Sequence, residues 1–307
     1  MLPSNLKYFL AVAKTGSVNG ASEQLNVASS AISRQISSLE AKLKLQLFDR
    51  GSSGMTLTPA GEKLADYARR ALLDSDEVIS NLNNMRQDYF GKIRVAVSDG
   101  IANALLSEAI FNYRQQHDAI EFETLVVSPY EVGRLVREGQ VDVGITFALT
   151  SLPPVNIVKR FNMQTVILVH PEHELAQRNY VTLQDIEPYA VALPDAATSL
   201  RKIIDIRCAA EGINLKVAMT SPHSAGLIHY ARLGGAIVFA AFITGITWAK
   251  DGYLVAIPFR ESTGMDRSIL AITMANRQLP NRISAFIDCI DDCIHDYHKT
   301  INQRSEI

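Results

Sequence analysis

The chain has 307 residues, roughly twice the ~150-residue domain prior, so two or three folded units suit it better than one. Its 47% apolar and 20% charged residues exclude disorder, a collagen-like chain and a pure coiled coil, and no window nears the ~18 consecutive apolar residues of a membrane span. The net charge of −2 is unevenly spread: residues 1–70 hold nine Lys or Arg against five Asp or Glu, whereas residues 71–307 hold 21 against 27. A small basic head on a larger acidic body suits a chain whose one end meets an anionic polymer. The apolar run at residues 6–13 is broken by Lys7 and closed by Lys14, which is too short and wrongly flanked for a secretory leader. Cys208, Cys289 and Cys293 are too few for a disulfide framework and favour a reducing compartment. A cytoplasmic location is the expectation.

In the head, residues 5–14 set Leu6, Phe9, Leu10 and Ala13 at helical spacing, with Ser4 as N-cap and Gly16 as the stop. A second short helix over 18–25 follows Ser17 and buries Ala21 and Leu25, and Asn26-Val27 makes a tight break. A third helix over 29–43 aligns Ile32, Ile36, Leu39 and Leu43 in a single apolar stripe. At ~100° per residue its opposite face gathers Ser30, Ser33, Arg34, Ser37 and Lys44, hydroxyls and cations with no acid among them. Small side chains let a helix approach base edges in a groove about 12 Å wide, where Ser donates or accepts and Arg can hold guanine by two hydrogen bonds. An ordinary solvated face usually mixes Glu with Lys, and this one does not. With the short helix and turn before it, the pattern points to a DNA-reading helix-turn-helix.

Two short alternating runs, 45–50 and 55–59, flank a Gly/Ser tip and read as a hairpin wing. Arg50 at its base suits a phosphate, or equally a pairing with Asp49 or a helix end. Thr58-Pro59 is a capping hydroxyl followed by Pro at the first helical position. From 61 to about 85 runs one long helix in which Leu64, Ala71, Val78 and Met85 recur every seven residues, with Ala68, Ser75 and Leu82 between them. Such a stripe must be covered. The wing domain can cover only its first two turns, so a second copy of the helix is the economical partner.

Ala28-Ser29-Ser30-Ala31-Ile32-Ser33-Arg34-Gln35-Ile36-Ser37-Ser38-Leu39-Glu40, then Leu47-Phe48-Asp49-Arg50, then Leu57-Thr58-Pro59-Ala60-Gly61-Glu62, occur in register. This order resembles the LysR-type transcriptional regulators, densely over residues 4–66 and diffusely beyond. Two departures bear on which DNA sequence is read. The family commonly has Ser-Gln-Pro where this chain has Ala28-Ser29-Ser30, so the cap moves to Ser29 and a base-touching Gln is missing. At the wing tip a second Arg is replaced by Ser53 and Gly54.

The boundary of the body falls at Phe90-Gly91-Lys92. A strand at 93–97, a helix opened by the Ser98-Asp99-Gly100 loop and running to Gln116, a strand at 120–127 that starts as alternation and ends buried, a helix from Pro129 to Gly139 and a strand at 141–145 predict parallel pairing. The glycines between Gly133 and Gly144 read as turn chemistry. A second such unit after Thr165 has strands near 165–169, 190–193, 217–219 and 236–241 and helices near 198–211 and 222–233, the last closed by Gly234-Gly235. A strand at 268–274 and a helix at 281–299 return to complete the first unit. The fold class is therefore α/β: a winged helix-turn-helix over 1–60, a linker and dimerisation helix over 61–90, and an effector domain over 91–307. Its lobes are 91–162 with 267–307, and 163–266. Two crossings between lobes make a hinge and cleft, the architecture of the family's effector domain and of periplasmic solute-binding proteins.

Ligands of such sheets sit at the carboxyl ends of the strands. The cleft is therefore expected to be lined by Ser98, Asp99, Gly100, Ile101, Ser128, Thr146 and Phe147 from one lobe and Thr198, Ser199 and His223 from the other. Helix N-termini and hydroxyls favour an anion, and the resemblance likewise implies a small carboxylate or amino acid. Asp99 either caps the helix after Gly100 or meets the ligand, favouring an amine if it does. His223 is a surface, capping or ligand residue. The DNA-contacting set is Ser29, Ser30, Ser33, Arg34, Ser37 and Arg50.

No Gly-rich phosphate loop, Gly-x-Ser-x-Gly elbow or His-Glu-x-x-His is present, so no enzyme, cofactor or metal is expected. Cys289, Cys293 and His295 on one helix do not complete a zinc set. The leading expectation is a ligand-responsive regulator that binds double-stranded DNA as a dimer or tetramer, away from membranes, with activation and repression both open. The alternative is a small-molecule binding protein or catalyst that shares the two-lobed body and carries a non-regulatory head.

Overall fold

The computed structural model describes residues 3–51, 54–83, 91–148, 152–196, 198–260 and 264–305. They form two compact units, Met1–Asp88 and Tyr89–Ile307. Met85, Phe90 and the wing-tip Ser53, all named above, lie outside the described residues.

The first unit opens with three helices, α1 (Ser4–Thr15), α2 (Val18–Leu25) and α3 (Ser29–Leu43). Phe9, Ala21, Ile32 and Ile36 are fully buried and share a core with Leu47 and Phe48. The caps around α2 are as its residues suggest. Ser17 Oγ accepts from the Gly20 N–H at 3.0 Å, and Asn26 takes the left-handed conformation (φ 53°) that ends the helix.

Four expectations are corrected in this unit. Ser4 lies inside α1 rather than capping it, because Pro3 already holds the extended cap conformation (φ −58°, ψ 141°). Ser29 is likewise the first residue of α3, and Ala28 occupies the N-cap with no side-chain bond. Leu43 is 42% exposed, at the last residue of α3 and beyond the buried stripe. Lys44 has φ 54° and leaves the helix, so it does not share the face of Ser33 and Ser37.

The hairpin of β1 (Phe48–Gly51) and β2 (Gly54–Leu57) pairs antiparallel, and the Met55 N–H donates to Gly16 O at 2.8 Å, tying the wing to the end of α1. Helix α4 (Pro59–Asn83) starts as predicted: Thr58 Oγ1 accepts from the Gly61 N–H at 3.0 Å and donates to Gln46 O at 2.8 Å. Its first turns pack on the head, with Ala65 buried in that core and Leu64 against it.

The second unit holds two five-stranded sheets. The first contains β3 (Gly91–Val97), β4 (Ile120–Val126), β5 (Val143–Phe147), β6 (Val155–Met163) and β12 (Arg267–Met274), in the order β4-β3-β5-β12-β6. Strands β4, β3 and β5 are parallel, and β12 returns antiparallel to both β5 and β6. The connection after β3 is α5 (Asp99–Ile101), a π-helical turn (Ala102–Leu106) and α6 (Ser107–Gln116), and α7 (Pro129–Arg137) precedes β5. One face of the sheet carries the largest core, with Ile101, Tyr113 and, from the terminal α12 (Asn281–Ser305), Phe286; the other face packs on α7.

The second sheet has the order β11-β7-β10-β8-β9, from β7 (Thr165–Val169), β8 (Ala190–Pro194), β9 (Lys216–Ser221), β10 (Ile237–Ala241) and β11 (Val255–Pro258). A short α8 (Leu183–Ile186), α9 (Ser199–Glu211), α10 (Ser224–Arg232) and α11 (Phe242–Lys250) complete it. The chain crosses between sheets from β6 to β7 and from β11 to β12. Thr165 Oγ1 donates to Met265 O at 2.6 Å, so the two crossings are bonded together.

Strands β6 and β11 and helix α11 have no counterpart in the sequence reading. Strand β6 is a sheet edge on which only Phe161 and Met163 are buried, so it lacks the alternation of a half-buried strand. Helix α11 follows β10 without a break, yet its Ile243 and Ile246 enter the core of the first lobe. Its Phe242, Ile243, Ile246, Trp248 and Ala249 spread around the helix and leave no clear polar face to mark it. Two further expectations change. Leu125 and Val126 are 40% and 53% exposed, because β4 is an edge. Gly133 and Gly144 lie inside α7 and β5, where a Cβ would meet Pro153 at 2.8 Å and Val132 at 2.7 Å, so they permit close packing rather than turns.

Candidate functional sites

On α3 the core stripe and the polar face separate cleanly. Ser30, Arg34 and Ser37 are exposed and Ser29 and Ser33 half-buried, opposite the buried Ile32, Ile36 and Leu39. Arg34 Nε lies 3.4 Å from Ser30 O, folding the side chain back along the ridge. The one acid near the end of the helix, Glu40, is turned inward: its Oε1 accepts from the Leu47 N–H at 2.8 Å and holds the entry to β1. Arg50 is 62% exposed and its guanidinium is 3.9 Å from Glu40 Oε2. Its protein partner is therefore this carboxylate rather than Asp49, in a long exposed pair worth little energetically. Glu40 stands in the sequence only as the last residue of the helix-turn-helix motif, since its partners lie seven and eight residues away, beyond the end of α3.

Between the two sheets lies a cleft of about 320 Å³. Ser98, Asp99, Gly100, Ser128, Phe147, Thr198, Ser199 and His223 line it, and Ile101 and Thr146 do not. Ile101 is fully buried in the first-lobe core. Thr146 precedes Phe147 on β5, and successive strand residues face opposite ways; its hydroxyl bonds Ser98 Oγ at 2.8 Å. Two hydroxyls expected to grip an anion also cap helices. Ser128 Oγ accepts from the Glu131 N–H at 3.3 Å, and Thr198 Oγ1 accepts from the Arg201 N–H at 3.3 Å while donating to Asp195 O at 2.8 Å.

Asp99 caps a helix, but in the other lobe. Its Oδ2 accepts from the Ser224 N–H at 2.6 Å, at the start of α10, and its Oδ1 lies 3.5 Å from His223 Nδ1. His223 occupies the N-cap position of α10 and its side chain is 74% exposed. A second contact crosses the cleft where Thr244 Oγ1 of α11 donates to Gly100 O.

Arg267, absent from the expected set, is the cation of the cleft. Its Cζ sits 3.8 Å from the Phe147 ring centroid, and its Nε is sealed from solvent with no hydrogen-bond partner. Burial disfavours the charged form and pushes its pKa down to about 9, with no carboxylate among the described residues opposing that. The only sequence signal was a charged residue opening an otherwise apolar strand.

Outside the cleft, Cys289 Sγ donates to Ala109 O at 3.5 Å and buried Cys293 accepts from Asn112 Nδ2 at 3.4 Å, so both thiols are packed on α6. His295 lies 3.1 Å from Asp291 Oδ1. Among the described residues no cluster of His, Cys, Asp or Glu is placed to hold a metal, and no helix is long and apolar enough to cross a membrane.

A helix-turn-helix head with an exposed hydroxyl-and-guanidinium ridge, carried on the same chain as a two-lobed body with an apolar cleft, defines a ligand-responsive DNA-binding protein. Residues 3–62 match the family described as bacterial regulatory helix-turn-helix protein, lysR family, and residues 86–293 match the LysR substrate binding domain. The chain belongs to the LysR-type transcriptional regulators, which leaves no room for a non-regulatory head. It is 26% identical over 288 residues to the helix-turn-helix-type transcriptional regulator YfeR of Shigella flexneri, covering 94% of this chain and 92% of that one. The crystal structure of ArgP from Mycobacterium tuberculosis matches with a TM-score of 0.67 at 18% identity, covering 95% and 97% of the two chains. Full-length CbnR, solved with its target DNA, matches at 0.57 and 19% identity over 95% and 100%. At these identities the structural likeness shows the fold.

Proposed function

We propose that the chain regulates transcription by reading a pseudo-palindromic operator with α3 and sensing a small molecule, a carboxylate or amino acid, between its lobes. Ser29, Ser30, Ser33, Arg34 and Ser37 meet the major groove and Arg50 a flanking phosphate. The observation that carries this reading is the α3 ridge: exposed, backed by a full core stripe, and with its nearest acid, Glu40, turned inward to bond Leu47. The shared fold of full-length CbnR, solved with its target DNA, supports DNA as the partner. Residues 1–60 are the reading head, 61–90 pair two or more copies, and 91–307 sense the ligand, with lobes 91–162 plus 267–307 and 163–266. The protein works in the cytoplasm, off the membrane, by binding rather than catalysis.

Fluorescence anisotropy with operator and scrambled duplexes tests this. Arg34→Ala or Ser33→Ala is expected to lose about 1–3 kcal/mol on operator and to relax selectivity at one base pair. Affinity is expected to fall steeply as salt rises. An unchanged operator-to-scrambled ratio in both variants removes α3 as the reading element.

A further inference from the structure

The cleft has hydroxyls bonded within the protein at Ser98, Ser128 and Thr198 and a buried, unpartnered one at Ser224, two carboxylates (Asp99 and Asp195), and one guanidinium without an opposing charge. Asp99 is bonded to the α10 terminus and His223, so the protein already supplies an anion there. Arg267 is different. It stacks on Phe147, its Nε is sequestered without a partner, and it opens into a cavity walled by Leu227, Ile228 and Val238. A half-buried guanidinium whose Nε is shut off from water beside an aromatic face is poised for a planar carboxylate, which offers two oxygens to its fork of donors. Such a charge is costly while unpaired and is retained where a ligand completes it.

We propose that Arg267 anchors the effector, and that the effector is a monocarboxylic acid with an apolar body. The inference rests on the cleft being the sensing site. A second negative charge is disfavoured by Asp99 and Asp195 on the same cavity, and the apolar walls and Phe147 face take a hydrocarbon or aryl body. Position makes the anchor consequential. Arg267 is the first residue of β12, directly after the second interlobe crossing, and it pairs in register with Met163, the last residue before the first crossing. A ligand pulling on this guanidinium therefore acts on both hinge strands at once.

The test uses the full chain with three isosteric probes: 3-phenylpropionate, 3-phenylpropanol and 3-phenylpropylamine. The acid is expected to raise the unfolding temperature and to bind measurably by calorimetry, while the alcohol and amine do neither. In Arg267→Gln the acid is expected to lose at least tenfold in affinity. Arg267→Met is expected to unfold at or above the wild-type temperature, because it removes an unpaired charge. Equal shifts with acid and alcohol, no shift with the acid, an acid response retained in Arg267→Gln, or a markedly destabilised Arg267→Met would each overturn the assignment. Operator affinity separates this from the sensing reading. A ligand that still changes DNA binding in Arg267→Gln removes only the anchor, whereas an acid that binds the cleft without changing DNA binding removes the sensing reading.

Discussion

Asp99 and Ser224 face each other from opposite lobes, and the Ser224 N–H donates to Asp99 Oδ2 at 2.6 Å. The carboxylate thus meets the positive end of α10, a favourable charge–dipole contact that also satisfies one of the N–H groups a helix leaves open at its start. Lobe closure and helix capping are one interaction here. Asp99→Ala is expected to cost about 0.5–2 kcal/mol of stability. Asp99→Asn keeps the acceptor but loses the charge, and is expected to cost about 0.3–1 kcal/mol. Thermal unfolding should rank wild type above Asn above Ala; an Ala variant as stable as wild type would show that the contact contributes nothing.

A second carboxylate governs acid stability. Asp142 is almost fully buried in the first lobe, where its Oδ2 accepts from Arg94 N at 3.0 Å and its Oδ1 from Arg277 at 3.2 Å. Burial pulls its pKa upward, but the bonds and charge of Arg94, with Arg277 behind them, outweigh that and hold it below the usual carboxylate range. The folded value is lower than the unfolded one, so this stabilisation is complete above the unfolded value and drains away as pH falls through the folded value. Asp142→Asn should flatten the acid limb of the stability–pH curve and cost about 3–5 kcal/mol near neutrality, since it removes the charge that faces the buried Arg277 guanidinium. Denaturant unfolding at several pH values measures both.

Close packing sets a third expectation. At Gly144 of β5 a Cβ would lie 2.7 Å from Val132 and 2.8 Å from Val136 and Ile272. Helix α7 can approach the sheet this closely only because the side chain is missing. Gly144→Ala is expected to destabilise by about 1–3 kcal/mol, read as a lower midpoint in denaturant; an unchanged midpoint would mean that α7 shifts freely.

The outer half of α4 leaves Val78 and Leu82 56% and 62% exposed in the single chain, one turn apart on the seven-residue seam. A charge at this seam should split self-association without harming the head. Leu82→Asp is expected to sediment as a smaller species than wild type with its helix content unchanged; a species of wild-type size would locate the assembly surface elsewhere.

Much of the head was legible from its residues because its signals are short-range. The Ile32–Ile36–Leu39 stripe, the Ser17 and Thr58 caps and the Asn26 turn each act within a few residues, through helical periodicity and local hydrogen bonds. Where a neighbour changes the local balance the reading slipped, as at Ser29 and Leu43. The body showed the limits of pattern more sharply. Edge strand β6 lacks alternation, and buried α11 lacks a polar face, so neither declares itself.

The sequence by itself determined the helix-turn-helix and the parallel βαβ start of the first lobe, because those follow from spacing along one chain segment, and the rule that ligands sit at strand ends pointed to eight of the residues that line the cleft. Only the tertiary structure decided that Asp99 caps a helix 125 residues away, that Thr146 turns from the cavity, and that Arg267 stands there without a counter-charge. Electrostatic partnership depends on distance in space and on exclusion of water, and neither is written in the order of the residues.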